Sequence, residues 1–276
     1  MDVFISIDME GVAGVVHGEQ VRRGSDDYPA CRELMEQEAN AAIEGAFASG
    51  ATRVVVNDAH GDMRNLRAAE IDPRADLLIG SPKVPYGMMQ GINPGFGVAL
   101  FIGYHARAGT AGAILDHSYA GAVILDIRVN GASWGEAQLN ATLAGGYGVP
   151  VGLVTGDDKT CAQVRETLVG AETVAVKQAF SRASALGLHP LRARDAIRDA
   201  ARAAIASAAR GELAPFCPPS PFRLEVDVVT SGMADMASIM PGLSRTGPRT
   251  LAFEAVDVET LVRARMSIST LAGAGS

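Results

Sequence analysis

Three apolar runs in this chain end in side chains able to bind a metal. Val3-Phe4-Ile5-Ser6-Ile7 leads into Asp8-Met9-Glu10, Val54-Val55-Val56 into Asn57-Asp58-Ala59-His60, and Val98-Ala99-Leu100-Phe101-Ile102 into Gly103-Tyr104-His105. Runs of this length, bounded by polar and turn residues, read as buried strands. Along an extended strand positions i and i+2 face the same way, so Asp8 and Glu10 should share one side at the C-terminal end of theirs. Two carboxylates so placed repel unless a positive group compensates them, and a metal is the simplest compensator. Two imidazoles beside two carboxylates make a mixed N/O donor set, which suits Zn²⁺, Mn²⁺ or Fe²⁺ and singles out none of them. Open α/β sheets build their sites at the carboxyl ends of neighbouring strands. The pattern points to a metal-dependent hydrolase.

Other polar residues are less specific. Asp58 is placed to orient a ligand imidazole from outside the ligand shell. Glu136 falls where a helix should begin, a position that the macrodipole favours for any acid. His117 lies in a Gly/Ala-rich loop between Asp116 and Ser118. Adjacent residues do not converge on one reacting atom, so these three do not form a triad. A free histidine near a metal suits proton transfer or oxyanion stabilisation instead. His17 and His189 have ordinary loop settings. No GxGxxG or GxSxG follows a strand, and Gly156-Asp157-Asp158-Lys159-Thr160 has the wrong glycine spacing for a phosphate loop.

The elements that must hold these residues follow from periodicity. A helix should run from near Pro29 to Ser49 with Gly50 closing it, and strand 52–57 then completes a β-α-β unit that implies a parallel pair. A short helix is expected near 64–70, strands at 76–80 and 97–103, and loop between 81 and 95. Strand 123–129 ends in Asn130-Gly131, a strong hairpin signal. A helix from Gly135, strand 151–156, helix 158–168 and a short strand at 172–176 follow. Beyond residue 180 come a long Ala/Arg helix over 190–209, a Pro-rich linker, strands 222–230 and 249–256, and helices near 233–239 and 257–271. The predicted architecture is α/β: a layered, mainly parallel sheet flanked by helices over residues 1–180, carrying the metal site, with a smaller α+β unit over 181–276.

Composition bounds the function. At 276 residues the chain exceeds what one core usually serves, and its 48% hydrophobic and 20% charged content is that of a globular enzyme. A net charge of −7 argues against a nucleic-acid backbone as partner. Cys31, Cys161 and Cys217 show no CxxC pairing, which argues against a disulfide framework or a thiolate zinc site and fits a reducing compartment. The text opens directly on strand residues without a basic segment ahead of an apolar one, so no signal peptide is expected. No apolar stretch nears the ~20 residues of a membrane span, and a cytoplasmic location is expected.

Taken together, SIDMEGVAG, MEQEAN, VNDAHGDMRNL, LFIGYHARAGT, the His117-Ser118 pair, GEAQLNA, VTGDDK, AVKQAFSR and a late Pro241-Gly242 resemble the bacterial D-aminopeptidases of the dipeptide-operon type, a family of binuclear zinc metallopeptidases. The resemblance spans nearly the whole chain. It implies zinc ligands at Asp8, Glu10, His60, His105 and Glu136, with His117 as the catalytic histidine. It also implies two Zn²⁺ per subunit, to be spaced by about 3.5–4 Å as in other two-metal hydrolases; Asp8, as the first polar residue off its strand, is the candidate bridge. The activity implied is release of the N-terminal residue from short D-amino-acid peptides, by a ring-shaped homo-oligomer that in this family is a decamer. Asp116 departs from the family pattern, which has a small residue before the histidine. From the residues themselves, another bimetal amidohydrolase, a phosphoesterase, or a non-catalytic metal- or ligand-binding protein remains an alternative.

Overall fold

Strands that are apolar almost throughout belong inside a parallel sheet, where both faces are covered. The computed structural model describes residues 1–275 and puts them there. The chain runs β1 (Asp2–Ile7), α1 (Gly18–Val21), α2 (Tyr28–Ala48), β2 (Arg53–Asp58), β3 (Asp76–Leu78), β4 (Phe96–Ile102), β5 (Ile124–Val129), β6 (Ala132–Ser133), α3 (Glu136–Gly146) and β7 (Val151–Asp157). It continues through α4 (Asp158–Thr167), β8 (Glu172–Ser181), β9 (Ser184–Gly187), α5 (Pro190–Ala209), β10 (Phe222–Val228), α6 (Ser231–Ala237), β11 (Ser244–Arg245), β12 (Thr250–Ala255) and α7 (Val258–Gly273).

One sheet has the order β3-β2-β1-β4-β7-β8-β9, parallel throughout except for the terminal β8–β9 hairpin. Alternation splits its side chains: Val3, Ile5 and Ile7 face α2 and α5, while Phe4 faces the opposite side with Phe101, Val154 and α3. Each such residue, fully buried, contributes roughly 1.5–3 kcal/mol. The second sheet, β11-β12-β10-β5-β6, is antiparallel and covered on one face by α6 and α7 through Met233, Ala237, Leu261 and Ile268.

The sheets divide the chain differently from a cut at residue 180. β5 and β6 leave the parallel sheet to pair with β10 nearly a hundred residues later, and β9 and α5 stay with the first sheet. Two local expectations also change. The helix expected over 64–70 shrinks to a single 3-10 turn at Ala68–Glu70, and the Asp58 carboxylate accepts the Asn65 and Leu66 N–H groups ahead of it. The strand expected at 172–176 runs on to Ser181 and returns as β9. Asn130 and Gly131 turn the β5–β6 hairpin with φ of 52° and 83°, as their type requires.

The layout fixes where a site can form. β1 lies between β2 and β4, so successive crossovers leave it in opposite directions and open a crevice at the carboxyl ends. The second sheet feeds into that crevice, since α3 connects β6 to β7.

Candidate metal centre

The ends of β1 and β4 continue to touch beyond their last strand residues. Asp8 N–H donates to the Ile102 carbonyl at 2.9 Å and Gly11 N–H to that of Gly103 at 2.8 Å. A Cβ on Gly11 would lie 2.0 Å from the Tyr104 carbonyl oxygen, and one on Gly103 would lie 2.3 Å from that of Asp8. Only glycine lets the two backbones approach so closely. Asp8 and Glu10 therefore project from the turn just beyond β1, and the turn rather than the strand pleat brings them together.

All six residues singled out in the sequence meet there. His60 Nδ1 lies 3.1 Å from Asp8 Oδ1 and 3.0 Å from Glu10 Oε2. His105 Nε2 lies 3.5 Å from Asp8 Oδ2 and 3.3 Å from Glu136 Oε2. His117 Nε2 is more distant, 3.9 Å from Glu136 Oε1 and 4.0 Å from Glu10 Oε1, and its ring stacks on His105 with centroids 3.9 Å apart. The donors fall into two groups, Asp8–Glu10–His60 and His105–His117–Glu136. The two oxygens of Asp8 face different imidazoles and so span the groups.

Each imidazole has one nitrogen bound to a backbone carbonyl: His60 Nε2 to Val21 at 2.9 Å, His105 Nδ1 to Ala106 at 3.1 Å and His117 Nδ1 to Leu115 at 2.8 Å. A nitrogen facing a carbonyl must carry the proton, which fixes the tautomer of the neutral ring. The other nitrogen then turns a lone pair toward carboxylate oxygens, acceptor against acceptor, and that arrangement requires a cation between them. His105 Nε2 is buried without any hydrogen-bond partner. The donor set fits a divalent metal.

In the protein alone, protons take that place. Burial opposes charge on His60, but the Glu10 and Asp8 carboxylates outweigh it and push its pKa well above the usual imidazole range. His105 behaves likewise, burial being overcome by Glu136 and Asp8. Glu10 and Glu136, though buried, are held below their ordinary values by His60 and His105 respectively. Asp8 is raised, by burial and then by the charge of Glu10. Asp8, Glu10, His60, His117, Tyr119 and Glu136 line a cavity of about 140 Å³, room for a few atoms beyond any metal.

Three expectations are corrected or refined. Asp58 orients no imidazole: its oxygens hold Asn65 and Leu66, and the Val21 carbonyl orients His60 instead. Asp116 turns away from His117, accepting from Arg182 Nε at 3.1 Å and Gly109 N–H at 2.8 Å. His17 and His189 cap α1 and α5, taking the Glu19 and Leu191 N–H groups.

A model of the family described as D-aminopeptidase matches residues 1–267. The chain belongs to the D-aminopeptidase family. A D-aminopeptidase of Bacillus subtilis (strain 168) is 37% identical over 276 residues, covering 99% of this chain and 98% of the relative. A solved structure, described as the Zn-dependent D-aminopeptidase DppA from Bacillus subtilis, a self-compartmentalizing protease, superposes with a TM-score of 0.94 at 35% identity, over 99% of this chain and 98% of that one. Membership makes the chain a peptide-bond hydrolase.

Some supporting residues of this D-aminopeptidase-family fold gave little signal in the sequence. Tyr119 N–H donates to Glu136 Oε1, and Tyr119 Oη donates to Asn140. Lys177, fully buried in β8, donates its three protons to the carbonyls of Glu10 (2.6 Å), Val12 (2.9 Å) and Val15 (2.5 Å). Glu38 accepts Ala13 N–H at 2.8 Å, so the turn carrying Glu10 is gripped by two side chains. Burial pushes the Lys177 pKa down to about 8 and that of Glu38 up to about 7. A lysine inside apolar strand text, in a chain with only three, was the available signal for Lys177.

Proposed function

We propose that the chain is a zinc-dependent aminopeptidase that releases the N-terminal residue from short D-amino-acid peptides, with two Zn²⁺ per subunit. The carrying observation is Asp8, whose oxygens face His60 on one side and His105 on the other. Asp8, Glu10 and His60 would hold one ion, and Asp8, His105 and Glu136 the other. His117 is assigned a catalytic rather than a ligand role because its nitrogen stands farther from every carboxylate than those of His60 and His105, and its side chain is 20% exposed against 10% and 1%.

Bound zinc supplies Lewis acidity, lowering the pKa of a water to near neutrality and polarising the scissile carbonyl. With Asp8, Glu10 and Glu136 committed to the ions, a free peptide N-terminus would be held as its neutral α-amine by the metals. Val21, Ala106 and Leu115, through their carbonyls, keep the three imidazoles in the required tautomers. His117 Nε2, at the cavity wall with its lone pair free, would first take up the proton released by the attacking water; as imidazolium it would then pass that proton to the leaving amine or hydrogen-bond the developing oxyanion.

A panel of D- and L-dipeptides with free and acetylated N-termini tests this reading. Free D-peptides should turn over and acetylated ones should not. Equal rates on blocked and free peptides would exclude an aminopeptidase, and a phosphoesterase or passive metal binder would cleave none.

The proposal includes a ring-shaped homo-oligomer, a decamer by resemblance to the family. Support comes from Phe180 and Leu186 on the β8–β9 hairpin, 63% and 64% exposed at the free edge of the parallel sheet, surface that a subunit contact would cover. Light scattering should report a particle several times 28.6 kDa that persists on dilution. An active monomer would remove the ring from the reading. Among the described residues no helix is long and apolar enough to cross a membrane. The cytoplasm is the proposed setting, in keeping with Cys31 and Cys161 buried as thiols.

A further inference from the structure

The loop that carries His117 begins with small residues: Ala106, Ala108, Gly109, Ala111, Gly112 and Ala113 precede Ile114. Side chains of this size bury little apolar area, so the loop depends on polar ties until Ile114 and Leu115 reach the core. His117 takes its ring orientation from two residues back, where its Nδ1–H donates to the Leu115 carbonyl at 2.8 Å. The Leu115 peptide therefore sets where Nε2 stands at the cavity wall. Leu115 has φ of 48°, a left-handed conformation that costs a residue with a side chain and persists only where its surroundings hold it.

Asp116, the next residue, is one source of that hold. Its Oδ2 accepts Gly109 N–H at 2.8 Å, which closes the small-residue stretch on itself. Its Oδ1 accepts Arg182 Nε at 3.1 Å at the turn between β8 and β9, and the Arg182 carbonyl accepts Leu115 N–H at 3.0 Å. Gly109 lies on the segment leaving His105, so one carboxylate ties the end of β4, the hairpin and the His117 backbone together. The two ties differ in weight. Arg182 is 64% exposed at its side chain, where an ion pair is worth little, whereas Asp116 is 14% exposed and its bond to Gly109 is charge-assisted. Asp116 does not line the metal-site cavity, and its effect on the reaction has to pass through His117.

We propose that Asp116 is a positioning residue for the reaction, clamping the Leu115–His117 backbone so that His117 Nε2 is held at the cavity wall. The assignment rests on the aminopeptidase reading and on the catalytic role given to His117. In the zinc-loaded, full-length enzyme, Asp116→Ala should lower kcat on D-alanyl-D-alanine by about tenfold, since displacing a reacting group by about an ångström can cost up to about a hundredfold. KM should stay within about twofold and metal content should not change, because Asp116 touches none of the five proposed ligands. Asp116→Asn keeps an oxygen for Gly109 N–H and should recover much of the loss. Arg182→Ala removes only the exposed tie and should cost no more than about fivefold.

Two measurements separate positioning from general support of the fold. In a His117→Ala background, Asp116→Ala should change kcat by less than about twofold, because its effect then has no path to the substrate. A tenfold loss in that background overturns the proposal. Amide hydrogen exchange over residues 106–118 should quicken in Asp116→Ala and stay unchanged in β1 and β4. Unaltered exchange, or a wild-type kcat, overturns it as well. An asparagine variant no better than alanine would assign the effect to the carboxylate's charge acting through space and exclude the clamp. If Asp116→Ala failed to fold, Arg182→Ala would carry the same test, since its smaller loss must also vanish without His117. A wild type that cleaved no free peptide would sink the aminopeptidase reading, and exchange would still decide whether Asp116 orders the loop.

Discussion

His117→Ala should keep its full metal content and lose turnover by roughly 10²–10⁴-fold, the range for removing a positioned acid–base group. The side chain stacks on His105, so stability should fall by about 0.5–1.5 kcal/mol, the worth of an aromatic pair, and not by the larger cost of an emptied metal site. KM should move little, because the substrate's free amine and carbonyl would still meet the metals. The check is kcat on a D-alanyl peptide and elemental analysis of the same sample. Metal lost in proportion to activity would make His117 a ligand beside His105 and Glu136, with which its nitrogen is grouped. Retention of both metal and activity would move the proton donor elsewhere. Asp116 could not take that place, since Arg182 and Gly109 occupy it.

Removing the metals should cost still more. Five ligand side chains exceed what one zinc uses, so elemental analysis of the purified protein should find two ions per subunit. Chelation should abolish activity and lower Tm. Each ion present at a thousandfold excess over its Kd adds about 4 kcal/mol to the folded state, and for a chain of this size a kcal/mol shifts Tm by roughly 2–4 °C. A fall of about 10 °C or more is therefore expected. His60→Ala should reproduce much of it, leaving Asp8 and Glu10 buried without their nearest imidazole and weakening metal binding by more than the roughly 10–100-fold typical of an outer-shell partner. His17→Ala removes only the cap of α1 and should leave metal content unchanged. A fully active preparation with traces of metal would sink the metal-centred reading.

The parts of this site that were legible share one physical signature. Asp8, Glu10, His60 and His105 each follow an apolar strand that the chain can bury only in the middle of a sheet, so their polarity had to emerge at its end. Glu136 carried no such mark. An acid in the first turn of a helix is favoured by the macrodipole whether or not it binds anything, and only family resemblance separated it from that background. The β8–β9 hairpin was illegible for a related reason. It turns through Arg182 and Ala183, neither with positive φ, so no glycine or asparagine announces it. The second sheet escaped because pairing of β5 with β10 is a long-range decision, set by which apolar faces remain uncovered once α3 has packed against the parallel sheet.

The burial of two of the chain's three lysines has a practical consequence. Lys177 is committed to three carbonyls, and Lys83 likewise donates to Asn57 Oδ1 at 2.5 Å, the Asp58 carbonyl at 2.5 Å and the Leu78 carbonyl at 2.8 Å. An amine-reactive ester needs an accessible, unprotonated nitrogen, and neither offers one without local unfolding. Lys159, whose side chain is 41% exposed, and the terminal amine are left to react. Acylation should thus place a dye or a surface tether at no more than two addresses per subunit, and slow appearance of label on Lys177 would clock the opening of the turn that carries Glu10.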